Sequence, residues 1–71
     1  MTLRMWIVEL DQYGWTDRKV SMDDPIEIPR KGEFIVDGDF DGPSGWVELV
    51  QWNISDSVLK TVYVFVRKEK Q

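Results

Sequence analysis

Apolar and polar residues alternate with a period of two along most of this chain. In the run from Leu3 to Leu10, Leu3, Met5 and Ile7 fall on one face while Trp6, Val8 and Leu10 fall on the other. Such a segment predicts a strand covered on both faces, and therefore a central one. After a turn at Tyr13-Gly14-Trp15, the more polar stretch from Arg18 to Met22 predicts a second strand, with Val20 and Met22 on one face. Its charges place it at a sheet edge. Asp23-Asp24-Pro25 and Pro29-Arg30-Lys31-Gly32 are breaks, because proline removes a donor and restricts the residue before it. Ile26-Glu27-Ile28 between them alternates like a short strand.

Glu33 to Val36 reads as a further strand, ending at the Asp- and Gly-rich stretch from Asp37 to Gly45. From Trp46 to Ile54 the alternation puts Trp46, Glu48, Val50, Trp52 and Ile54 on one face. It puts Val47, Leu49, Gln51 and Asn53 on the other. Ser55-Asp56-Ser57 turns the chain, and the stretch around Ser55 to Lys60 is the one helical-turn candidate, with Ser55 or Ser57 as its cap. Val58 to Arg67 opposes Val62, Val64 and Val66 to Thr61, Tyr63 and Phe65, a density of β-branched residues that disfavours helix. The expected fold is all-β: a small five- to six-stranded antiparallel barrel or compact sandwich built from hairpins. Most of the aromatic side chains are expected to pack inward.

Val8 to Asp17 aligns with Val47 to Asp56 at a shift of 39 residues, with identities at Val8/Val47, Glu9/Glu48, Leu10/Leu49, Gln12/Gln51 and Asp17/Asp56. If this reflects duplication, two hairpins should superpose about a pseudo-two-fold axis.

At 71 residues the chain forms one domain with a thin core, and the absence of cysteine excludes disulfide staples. Met1-Thr2-Leu3-Arg4 does not open a signal peptide, and no apolar run reaches the length of a membrane span. A cytoplasmic protein without a membrane partner is the expectation. The net charge is −4. It is unevenly spread: Asp23, Asp24, Glu27, Glu33, Asp37, Asp39, Asp41 and Glu48 face only Arg30 and Lys31 in the middle of the chain, whereas Lys60, Arg67, Lys68 and Lys70 dominate its end. This balance disfavours nucleic acid as a partner.

Asp37-Gly38-Asp39-Phe40-Asp41-Gly42-Pro43-Ser44-Gly45-Trp46-Val47-Glu48 fits the pattern D-x-[DN]-x-[DN]-G-x5-E and resembles an EF-hand calcium loop. The resemblance implies side-chain oxygens from Asp37, Asp39 and Asp41, a carbonyl from Pro43 and a bidentate carboxylate from Glu48 around Ca2+. It covers this loop alone, and the segments flanking it read as strands.

Without histidine or cysteine there is no zinc site of the usual ligands and no Cys–His or Ser–His–Asp system, so the chain is not expected to be an enzyme. The leading expectation is a small protein-interaction or regulatory module, binding a protein partner or itself. One form of it is an acidic inhibitor of a basic target. Trp15 and Phe40, in predicted turns, are the expected anchors. Calcium binding through the Asp37–Glu48 loop and single-strand nucleic-acid binding on a small barrel are the alternatives.

Overall fold

A computed structural model describes residues 2–36, 42–54 and 59–68, apart from the side chains of Thr2 and Leu59. Five strands follow one another: β1 (Thr2–Asp11), β2 (Gly14–Asp23), β3 (Phe34–Val36), β4 (Ser44–Asn53) and β5 (Leu59–Arg67). They form one mixed sheet of order β2-β1-β5-β4-β3, curled into a half-barrel. The all-β expectation holds, and no helix occurs among the described residues.

One pairing departs from a purely antiparallel meander. β1 and β5 run parallel, from Thr2 opposite Leu59 to Glu9 opposite Val66. Hairpins alone give antiparallel neighbours. Here the β1–β2 hairpin and the β3-β4-β5 meander are separate units joined by residues 24–33, a connection long enough for β5 to dock beside β1.

That connection contains no strand at Ile26–Ile28, contrary to the expectation from alternation. Pro25 and Pro29 flank the segment and deny it donors at both ends. Ile26 is fully exposed, and Ile28 packs instead against the core cluster. β2 ends where Asp24 takes a left-handed conformation, φ +50°, its N–H donating to the Leu3 carbonyl at 2.7 Å.

The inner face of the half-barrel holds the core. Met5 and Ile7 of β1, Val62, Val64 and Val66 of β5, and Val47 of β4 are buried, with Leu3, Val20, Ile28, Ile35 and Val50 packed around them. Register explains the selection: Met5 lies opposite both Met22 and Val62, and Ile7 opposite Val20 and Val64, so one parity of three adjacent strands meets on one side.

On β4 the simple alternation fails. Val47 pairs with Val66 but Leu49 pairs with Phe65, so Glu48 is an extra residue in a β-bulge. The bulge reverses the phase of the strand, bringing Val47 and Val50 to the same inner face and sending Trp46, Leu49 and Gln51 outward.

A second register shift falls at Val8/Leu10, the positions aligned with Val47/Leu49 in the internal repeat. The repeat does not generate a two-fold axis, however. Exchanging β1 with β4 and β2 with β5 would convert the order β2-β1-β5-β4 into β5-β4-β2-β1, which is a different sheet.

Candidate functional site

The buried inner positions of β1 and β5 hold Met5, Ile7, Glu9, Val62, Val64 and Val66, so residues of the other parity are turned to the outer face. These are the aromatic ones. Trp6 lies opposite Tyr63, Val8 opposite Phe65, and Phe65 opposite Leu49. The expectation that most aromatics pack inward is overturned: among the described ones only Phe65 is buried.

Trp15, one residue into β2 from its tight turn, pairs with Leu10 and reaches across β1 to the rings of β5. Its ring centroid lies 5.7 Å from that of Tyr63 and 5.5 Å from that of Phe65. Tyr63 and Phe65 stack on each other at 6.1 Å. Val8, on the strand these rings bridge, is wholly buried, so the cluster forms a second apolar layer outside the sheet. That layer is incomplete: Trp15 remains 58% exposed and Leu49 51%. At the β3 edge Phe34 packs edge-on against Trp46 with centroids 4.9 Å apart, and at the β2 edge Lys19 sits over the Trp6 ring at 5.9 Å. The outer face therefore carries two ring groups, Trp15 with Tyr63 and Phe65, and Phe34 with Trp46.

The turn that positions Trp15 is built locally. Asp11 Oδ1 accepts from the Tyr13 N–H at 2.7 Å, and Gly14 adopts φ +116°, a conformation that side chains resist. The irregular stretch beyond it is fixed by Thr16, whose hydroxyl donates to the Glu9 carbonyl at 2.8 Å and accepts from the Arg18 N–H at 3.1 Å.

Two arginines complete the rim. Arg18 Nη1 donates to Glu9 Oε2 at 3.0 Å, and Arg67 Nε donates to Glu48 Oε2 while its Nη1 donates to the Asp11 carbonyl at 3.0 Å. The two glutamates are the aligned residues of the 39-residue repeat, each beside a register shift and each bound by an arginine of the following strand. An open recess of about 500 Å³ lies among Glu9, Asp11, Tyr13, Arg18, Arg67 and Lys68. Its guanidinium groups are already engaged by carboxylates.

Of the residues expected to form a site, Trp15 stands on the aromatic face, on a strand rather than in a turn. Phe40, Asp37, Asp39 and Asp41 lie outside the described residues. Glu48, the remaining residue of the calcium set, belongs to the bulge of β4 and is paired with Arg67. Among the described residues no group of three or more acidic side chains is arranged to hold a metal ion. The acidic belt is also partly consumed internally: Asp23 pairs with Arg4, Asp24 Oδ1 accepts from the Leu3 N–H, and Glu33 Oε1 accepts from the Arg30 N–H. Sequence reasoning passed over Tyr63 and Trp6 as surface residues because strand-borne aromatics ordinarily pack inward. The available signal was the three-valine inner face of β5, which leaves its other parity to the outer face.

No protein-family model matches this chain, and neither the curated proteins nor the solved structures contain a significant match to it. No helix among the described residues is long and apolar enough to cross a membrane.

Proposed function

We propose that this chain is a non-enzymatic protein-interaction module that binds a protein partner through the outer aromatic face formed by Trp15, Tyr63, Leu49 and Trp6. The observation that carries this reading is the half-exposed Trp15 indole held against Tyr63 and Phe65 on the side of the sheet away from the core. Rings locked by mutual contact lose little conformational freedom on binding and bury much area, which is why aromatic anchors dominate interface energetics. The strands behind them are interior to the sheet, since β1 and β5 are paired on both sides. This face is a better recognition surface than the acidic belt, because Asp23, Asp24, Glu33 and Glu48 already serve contacts within the chain.

The placement of Lys19 over Trp6, beside the Trp15 cluster, favours single-stranded nucleic acid as the second reading, with bases stacking on the rings. The net charge of −4 opposes it. Titration of intrinsic tryptophan fluorescence with short oligonucleotides at low salt separates the two: the protein-binding reading expects no quenching, and saturable quenching would replace it.

A further inference from the structure

We propose that the chain also pairs with a second copy of itself through the edge of β2 that no other described strand covers, in the antiparallel register that sets Ser21 against Ser21. β2 is a ten-residue strand at one end of the sheet. In an antiparallel ladder, residues alternate between directing their backbone groups toward and away from the neighbouring strand. The bond from the Asp24 N–H to the Leu3 carbonyl fixes that alternation here. Met22 and Val20 therefore turn their N–H and C=O toward β1, while Lys19, Ser21 and Asp23 turn theirs outward.

A two-fold axis at Ser21 makes the three outward-facing residues into three hydrogen-bonded pairs: Ser21 with the second copy's Ser21, and Lys19 with its Asp23 on either side. Opposite charges meet on the outer face. On the inner face Val20 meets the second copy's Met22, covering a side chain that is 41% exposed although its parity points it inward. Neighbouring registers lack this match. Centred on Lys19 or on Asp23, like charges meet at the axis; centred on Val20, Asp17 opposes Asp23. Centred on Met22, Lys19 opposes Pro25, which has no N–H. Edge lysines ordinarily discourage strand addition. Lys19 is instead matched by an aspartate four residues along the same edge, and cross-strand opposite-charge pairs are stabilising. Asp23 contributes Oδ1 to Arg4, which leaves Oδ2 for the second copy's lysine.

Sedimentation-velocity analysis of the full chain tests this. The wild type should sediment as a concentration-dependent dimer. Ser21→Pro removes an outward N–H without touching the ladder to β1 and should give a monomer with an unchanged far-ultraviolet circular dichroism spectrum. Lys19→Asp should weaken the dimer at least about tenfold, the equivalent of 1.4 kcal/mol, and adding Asp23→Lys to it should restore the wild-type constant. A wild-type monomer at all concentrations, a dimer that survives Ser21→Pro with intact fold, or a double variant no tighter than Lys19→Asp would overturn the proposal. A dimer lost in Tyr63→Ala but kept in Ser21→Pro would overturn it as well, placing the contact on the aromatic face.

Discussion

The carboxylate of Glu9 on β1 accepts a hydrogen bond from the backbone N–H of Ser44 at 3.2 Å, although β5 lies between their strands. Its other oxygen binds Arg18 of β2, so one buried side chain, 3% exposed, ties together three strands at one end of the half-barrel. Curling of the sheet is what brings β4 within reach.

Removing this carboxylate leaves the Ser44 N–H without its acceptor and opens a polar gap beside Val66. Arg18 is half exposed and can turn to water, so its loss of partner adds little. Glu9→Ala is expected to lower unfolding stability by about 2 kcal/mol, read as the midpoint of a urea titration followed by tryptophan fluorescence. Glu9→Gln keeps one acceptor and should fall between the two.

Gly45 is the least replaceable residue of β4. It holds φ +141°, and a Cβ placed there would come within 2.2 Å of the Arg67 carbonyl oxygen. That neighbour is backbone in a paired strand and cannot swing aside. Gly45→Ala should therefore cost about 3 kcal/mol or more, with hydrogen exchange accelerating first along the β4–β5 ladder.

Strict period two made β1 and β5 readable from the sequence, because Leu3, Met5 and Ile7, and again Val62, Val64 and Val66, occupy one parity without interruption. β2 was legible as an edge through its charges. The phase of β4 was not, since a bulge at Glu48 leaves no local mark: Val47, Leu49 and Val50 are apolar in either phase. Nor could the parallel contact of β1 with β5 be read, because it joins residues far apart in sequence through backbone groups common to all. Glu9 did leave a trace, as an acid at the fourth position of the inward-facing series Leu3, Met5, Ile7, Glu9. Trp15 was identified as an exposed aromatic, but the ring cluster giving it purpose depends on register across two strand pairings.

The two faces should respond differently to truncation. Val64 is wholly buried on the inner face between Ile7 and Val50. Val64→Ala is expected to cost about 2 kcal/mol, from lost burial plus the cavity left behind. Tyr63→Ala, one position away on the outer face, should cost about 1 kcal/mol, since its ring is only partly covered. Thermal or urea unfolding of the two variants checks the order.

Calcium tests the EF-hand resemblance through Glu48. A bidentate glutamate is the ligand that closes such a loop, and here Arg67 holds that carboxylate. The wild-type melting midpoint is expected to be the same in calcium and in chelator. Arg67→Gln frees Glu48, and any calcium-dependent rise in midpoint should appear in that variant first. A rise in the wild type would show the ion competing successfully with Arg67.

The most direct measurement of the aromatic face is retention of proteins from the chain's native lysate on immobilised wild type, Trp15→Ala and the Trp15→Ala/Tyr63→Ala double variant, each verified as folded by circular dichroism. The expected result is a discrete partner held by the wild type, weakened by the single change and lost with the double. A partner retained equally by all three would contradict a recognition role for this face.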